Sequence, residues 1–313
     1  MGPTVFAQSQ GQDEEIVTSL TGGKVILHFA KDGAILFAAV NQPLEQGAPP
    51  PRLVNLDGLH VGILFGASEW RSLADPKPIR MDRDIQRIAG RDPRADYGGE
   101  ADPDLEILGI AFLEKLRPLV SKLRHKVDFP ADQPFFEIVV IGYGPKNYGP
   151  EAWTVEFRIT QQLLTTRDNF WQSRILRPRF TQIYPPEKHA PKILVETSFP
   201  SSTEGPTLQT LLEGNDPRFS GFRSDVKMAK ALDLIIKGQA QKVEPADASE
   251  FLRAAIPLLY PKQEFFLGKM EEQRGFDWIL PPQEPIERVE NKDDKNRPAD
   301  APSLRKKPTD PNR

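Results

Sequence analysis

Residues 25–40 read VILHFAKDGAILFAAV, two apolar runs joined by Lys31-Asp32-Gly33. Residues 52–66 repeat this pattern as RLVNLDGLHVGILFG, with Asp57-Gly58 between the runs. Asp-Gly between apolar runs is a strong hairpin signal, because a tight turn needs a positive φ that glycine adopts without steric penalty. The runs are apolar almost throughout rather than alternating, so we expect both faces of the sheet to be covered. The two stretches predict consecutive antiparallel hairpins.

The region after the hairpins reads as mainly helical. Ser68 to Ala74 predicts a short helix. A longer helix is predicted to begin at Asp102 as N-cap and to continue to Leu123, because leucines and a phenylalanine recur at spacings of three and four. Pro118 inside this pattern predicts a kink or a break.

The remainder of the chain alternates strands and helices. Residues 163–191 give no clear pattern. A helix is predicted to start at Ser224 as N-cap and to end at Gly238. The other predicted elements are strands over 135–142, 153–159 and 192–199, helices over 207–212 and 246–259, and a last hairpin over 264–270 and 276–280.

The order of these elements predicts a fold class. Hairpins, helices, a hairpin, helices and a hairpin favour antiparallel sheets stacked with helices outside, an α+β sandwich rather than a doubly wound parallel sheet. We expect one domain over residues 16–281. Residues 1–15 and 282–313 are polar, so we expect a disordered leader and a disordered tail.

Composition and charge exclude several classes of protein. The net charge is −3 with both signs interspersed, which argues against a nucleic-acid interface, because that needs clustered Lys and Arg. No apolar stretch approaches the roughly 20 residues of a membrane helix. The chain has no cysteine, so disulfides, thiolate metal sites and thiol nucleophiles are excluded.

The first residues allow two interpretations. Val5-Phe6-Ala7 fits the small-residue rule before a signal-peptide cleavage site, but no basic region or apolar core precedes it. Either the segment is a disordered leader, or it is the end of a truncated signal peptide that closes at Ala7. We favour the second slightly, which would make the protein an exported one.

The pattern resembles the proteasome-subunit branch of the N-terminal-nucleophile hydrolases. Residues 31–39 are similar to the family's first hairpin, and residues 52–66 are similar to the segment that leads into its first long helix. Residues 136–142 and 153–159 are similar to its middle hairpin. Residues 227–238 resemble a returning helix, and residues 276–279 resemble its closing strand. The resemblance, which spans residues 16–280, implies a four-layer αββα sandwich: two stacked antiparallel sheets between helix layers.

The resemblance does not extend to the catalytic motif. Active members cleave a propeptide after Gly to free a Thr, whose hydroxyl attacks a carbonyl with the new α-amine as base. Aligning the Lys-Asp-Gly turn places Gly23 at the nucleophile position, and no Gly-Thr pair occurs in the chain. The family's aspartate falls on Ala39. Its lysine falls at or near Arg52, which stays charged and cannot act as a neutral partner.

The resemblance therefore implies a non-catalytic proteasome-like subunit that acts through assembly, as a homo-oligomer. Ring-forming relatives pack through helices, so we expect surplus apolar surface over residues 104–124 or 224–240. Two alternatives stay open. One is an active peptidase or amidase that uses Thr18, Ser19 or Thr21 after N-terminal processing. The other is an exported binding protein of an unrelated α+β fold.

No metal or cofactor site is expected. The four histidines lack metal-ligand spacing, and His28 and His60 lie in predicted strands, where a hydrogen-bonded structural role is favoured. The loop at residues 142–149 lacks the third glycine of a dinucleotide-binding loop and the Lys-Ser or Lys-Thr of a phosphate loop. We therefore predict no catalytic, cofactor-binding or metal-ligating residues.

Overall fold

The computed structural model describes residues 15–56, 59–72, 77–83, 105–127, 133–144, 149–165, 169–185, 194–200 and 206–282. The chain divides into one unit of residues 1–282 and a second of residues 283–313. The second unit lies outside the described residues, as do residues 1–14. The predicted leader and tail therefore fall almost entirely outside the described part of the chain.

The described residues form β-strands, α-helices and short 3-10 helices. The strands are β1 (Ile16–Thr21), β2 (Gly23–Phe29), β3 (Ile35–Asn41), β4 (Arg52–Asn55), β5 (His60–Ser72), β6 (Ile79–Arg80), β7 (Phe136–Tyr143), β8 (Pro150–Phe157), β9 (Ile159–Leu164), β10 (Phe170–Ile175), β11 (Arg179–Tyr184), β12 (Leu194–Phe199), β13 (Phe265–Glu271) and β14 (Gly275–Leu280). The helices are α1 (Leu105–Ser121), α2 (Leu208–Glu213), α3 (Val226–Ile236) and α4 (Pro245–Leu259), with 3-10 helices at Lys31–Gly33, Pro217–Ser224 and Ala240–Lys242.

The strands pair in antiparallel sheets. The first sheet has the order β1-β5-β7-β8-β11, and β4 and β6 also pair with β5. The second sheet has the order β12-β2-β3-β13-β14, and β9 and β10 form a separate two-stranded sheet. The predicted α+β class with antiparallel sheets is confirmed.

The first predicted hairpin is confirmed in the second sheet. β2 and β3 pair with Val25 opposite Ala39, and the turn between them has positive φ at Asp32 (58°) and Gly33 (74°). All seven residues of β2 are buried, as the continuous apolar run predicts. In the second hairpin, β4 pairs with β5, while the turn residues Asp57-Gly58 lie outside the described residues.

The helix predicted at Ser68–Ala74 is wrong, because β5 continues to Ser72. Trp70 pairs with Thr18 of β1 on one side and with Ile79 of β6 on the other. The ring of Trp70 is fully buried and its Nε1 donates to the carbonyl of Ala67. Pairing on both sides therefore holds this segment as a strand.

Three further details differ from the predictions. α1 continues past Pro118 to Ser121, because the proline lies in the last turn, where its missing N–H removes a single helical hydrogen bond. Asp225, not Ser224, is the N-cap of α3: its carboxylate accepts from two backbone amides of the first turn. The segment 163–191, for which no element is predicted, contains β10 and β11.

The buried side chains form three clusters. One joins Ile26 and Leu36 of the second sheet to α2–α4 and includes Phe251. Another joins the first sheet to α1, where Phe112 packs near Phe136. The third contains side chains from both sheets; among them are Val25, Phe37, Val61, Phe65, Val139, Ile141 and Phe199. Each of the two large sheets therefore contributes buried side chains to two of the three clusters.

Candidate functional site

Gly23, the residue at the expected nucleophile position, begins β2 and has no room for a side chain. A Cβ built on it would lie 2.6 Å from Cε1 of Phe65, 2.6 Å from the carbonyl oxygen of Val40 and 3.0 Å from Cγ of Pro51. These separations are well below the roughly 3.5–4.0 Å of favourable carbon contacts. A threonine could not stand here unless the surrounding residues moved.

The space beside Gly23 is filled by two aromatic rings. Phe65 of β5 and Phe199 of β12 stack with their ring centroids 6.1 Å apart and their planes 9° from parallel. Both rings are almost completely buried, and Phe199 is the strand partner of Gly23. The position that would carry the hydroxyl and receive a substrate is thus occupied by apolar side chains.

Gly23 is also internal to a continuous, paired chain. On its N-terminal side, β1 pairs with β5, with Thr21 opposite Gly66. On its C-terminal side, β2 pairs with both β3 and β12. A free α-amine at this position would require removal of β1, a strand of the first sheet.

The three alternative hydroxyl nucleophiles all lie on β1. The hydroxyl of Thr18 donates to the carbonyl of Glu69 at 2.7 Å. Oγ1 of Thr21 lies 2.8 Å from Oγ of Ser68, and both side chains are fully buried. Ser19 is half-buried and is the strand partner of Glu69. These hydroxyls therefore belong to a strand pairing, and none is at a chain end.

Ala39 and Arg52, at the positions expected for the family's aspartate and lysine, carry side chains of a different chemical type. Ala39 is buried in the cluster shared by the two sheets, where it offers no ionisable group. The guanidinium of Arg52 pairs with the carboxylate of Glu69 at 3.1 Å, and both side chains are largely buried. The guanidinium of Arg71 lies 2.9 Å from the same carboxylate. Glu69 is thus neutralised by arginines next to the strand that carries Ser19.

A buried ion pair lies beside Gly23 on the other face of β2. Nζ of Lys24 is 3.2 Å from Oε2 of Glu196, and the two side chains are 5% and 4% exposed. Glu196 also accepts from the backbone amide of Leu208. Burial acts to lower the pKa of Lys24, but Glu196 and Tyr260 outweigh it and raise that pKa above its usual range. The lysine is therefore held charged and does not offer a neutral base.

Two of the histidines are buried in strands, in agreement with the prediction. Nε2 of His28 lies 3.3 Å from the carbonyl of Ala240, and burial lowers the pKa of His28 to about 4. Nε2 of His60 lies 3.5 Å from a carboxylate oxygen of Glu151. His189 lies outside the described residues. His28 is neutral at physiological pH and shielded from solvent, which suits a structural role.

Sequence reasoning did not find the buried charged groups. Glu69, Glu196 and Glu137 lie in strands, and apart from Arg71 beside Glu69 their charged partners or neighbours come from other strands. Only the interruption of an apolar strand by a charged residue could have drawn attention to them.

Among the described residues, no three His, Asp or Glu side chains come together to hold a metal ion. None of the described helices is long and apolar enough to cross a membrane.

No family model matches this sequence, and no curated protein matches it.

Proposed function

We propose that this chain is a non-catalytic proteasome-like subunit, which acts by assembling with further copies of itself. The observation that carries the proposal is the packing at Gly23. The carbonyl of Val40, the ring of Phe65 and the ring of Pro51 leave no room at the expected nucleophile position, and the ring of Phe65 is in turn stacked on Phe199. With β1 still attached and paired on its N-terminal side, this end of β2 offers neither a hydroxyl nor an amine.

The distribution of the core supports the four-layer αββα arrangement that belongs to this proposal. One buried cluster contains side chains of both sheets. The other two join the opposite faces of the sheets to α1 and to α2–α4. Helix, sheet, sheet and helix in that order would give this set of three clusters.

Helix α1 offers the apolar surface that assembly through helices requires. Ile107 and Ile110 are 50% and 54% exposed, although the opposite face of α1 is fully packed on the first sheet. α3 is a poorer candidate, because Val226 lies at its very start and the rest of its exposed face carries charged residues such as Lys230 and Asp233. Ile107 and Ile110 are three positions apart and therefore lie side by side on one face of α1, and a contiguous exposed apolar patch of this kind supports contact with a partner.

Sedimentation velocity of the full chain at micromolar concentration tests the assembly. We expect a species larger than the 35.2 kDa single chain. The interface between copies should bury about 1,000 Å² or more, as a stable protein contact requires. Ile110→Arg should dissociate it, because the new charge would lie inside the contact. Glu114→Arg is the matched control: it introduces the same residue at an exposed polar position one turn further along α1.

Two results would contradict the proposal. A wild-type chain that sediments as a monomer at every accessible concentration would refute assembly. An assembly that survives Ile110→Arg as fully as it survives Glu114→Arg would refute α1 as its contact surface.

A further inference from the structure

Glu137 is a carboxyl enclosed between the two sheets. Along β7, Val139 and Ile141 belong to the cluster shared by the sheets. Because strand side chains alternate between faces, Glu137 lies on that same face. Only 5% of the residue is exposed. Its strand partners are Phe65 on β5 and Glu156 on β8.

Among the residues that the structure describes, this carboxyl has neither a counter-charge nor a full set of hydrogen bonds. Oε1 is buried and has no hydrogen-bond partner among the described residues. The side chain directly across on β8, Glu156, is a like charge, and its own carboxylate is bound by Arg158 at 3.2 Å. Enclosing an ionised carboxylate without a partner is far more costly than enclosing the neutral acid.

Strand β5 and the second sheet, as far as the structure describes them, offer no counter-charge to the carboxylate of Glu137. From β5 it faces the ring of Phe65; further along that strand, Glu69 is bound by Arg52 and Arg71. From the second sheet, Phe199 stacks on Phe65.

The cations described in neighbouring strands either pair with another carboxylate or lie in solvent. Lys24 lies on the opposite face of β2 and pairs with Glu196, while Arg179, the strand partner of Glu156 on β11, is exposed to solvent. Burial, with Glu156 as the lesser cause, raises the pKa of Glu137 to about 8.

We propose that Glu137 is a pH-sensitive latch between the two sheets, which close over it when its carboxyl carries a proton and separate at this end when the carboxyl is ionised. The ionised group needs water, and parting the stacked rings of Phe65 and Phe199 beside it would admit water to this end of the sheets. Opening releases one proton wherever the open carboxyl is ionised and the closed one is still protonated, so the ratio of open to closed molecules rises about tenfold per pH unit from the ordinary titration of a glutamate up to about pH 8 and levels off above it.

Hydrogen exchange of the full chain across pH 6–10, corrected for intrinsic exchange rates, tests the latch. We expect protection of β7 and β12 to fall about tenfold per pH unit up to roughly pH 8 and to level off above it, while β13 keeps its protection. In Glu137→Gln, which mimics the neutral acid, this loss should disappear. In Glu156→Gln, the loss should level off at a lower pH, because the like charge that helps to keep Glu137 protonated in the closed state is gone.

A direct titration keeps the test decisive if a variant does not fold. The carbon-13 shift of the Glu137 carboxyl in the wild-type chain should titrate well above the ordinary range of a glutamate. A midpoint near that ordinary range would overturn the proposal. So would an unchanged pH dependence of exchange in Glu137→Gln, since another group would then control the opening.

Discussion

The substitution Gly23→Ala tests the packing on which the proposed function rests. The added methyl carbon would lie 2.6 Å from both Cε1 of Phe65 and the carbonyl oxygen of Val40. The carbonyl belongs to the paired strand β3 and the ring is stacked on Phe199, so neither can withdraw easily. Overpacking of this kind costs about 1–3 kcal/mol, and replacing glycine recovers about 0.4–1 kcal/mol through the unfolded chain. We expect a net loss of about 1–2 kcal/mol.

Urea denaturation of wild type and variant measures this loss as a change in the free energy of unfolding. Gly221→Ala is the matched control, because a Cβ at Gly221 meets no atom within 4 Å; its stability should equal or slightly exceed that of the wild type. Phe65→Leu combined with Gly23→Ala should destabilise by less than the sum of the single changes, since the smaller side chain leaves room for the methyl. A Gly23→Ala protein as stable as Gly221→Ala would refute the packing argument.

Two further predictions concern buried charge. The pKa of His28 is lowered to about 4 from 6.5, so its contribution to stability is complete above pH 6.5 and is lost as the pH falls towards 4. The stability lost in this way amounts to about 3 kcal/mol. Urea denaturation at pH 7 and pH 4 should therefore show a smaller difference in the free energy of unfolding for His28→Gln than for the wild type. Lys24→Met leaves the carboxylate of Glu196 buried without its counter-charge, which should cost about 3–5 kcal/mol. Adding Glu196→Gln should recover most of that loss in thermal or urea unfolding, and failure to recover it would show that the ion pair is not what Lys24 contributes.

Local patterns were sufficient to predict the first hairpin but not the full first sheet. The turn at Asp32-Gly33 and the apolar runs beside it are encoded within 16 consecutive residues, and β2 and β3 pair as expected. The end of β5 reads as a helix because its strand character depends on β1, which pairs Thr18 with Trp70 across 52 positions. β9–β11 carry many half-exposed residues, so no apolar period marks them.

In the candidate site, too, some features follow from single residues and others depend on contacts between distant strands. That Gly23 and Ala39 lack functional side chains follows from their identities alone. That the space beside Gly23 is filled by Phe65 and Phe199 depends on strands that are far apart in the sequence. The pairing of Lys24 with Glu196 spans 172 positions, and no local spacing predicts such a contact.

Covalent labelling of the full chain with a peptide epoxyketone, read by intact mass, tests the claim of a non-catalytic subunit most directly. Nucleophilic attack needs an accessible hydroxyl activated by a neighbouring base, and the end of β2 offers neither. We therefore predict one mass before and after treatment, with no adduct. A stoichiometric adduct on a chain that has lost its first 17, 18 or 20 residues, and that disappears in Thr18→Ala, Ser19→Ala or Thr21→Ala, would contradict the account and assign the chain to the active hydrolases.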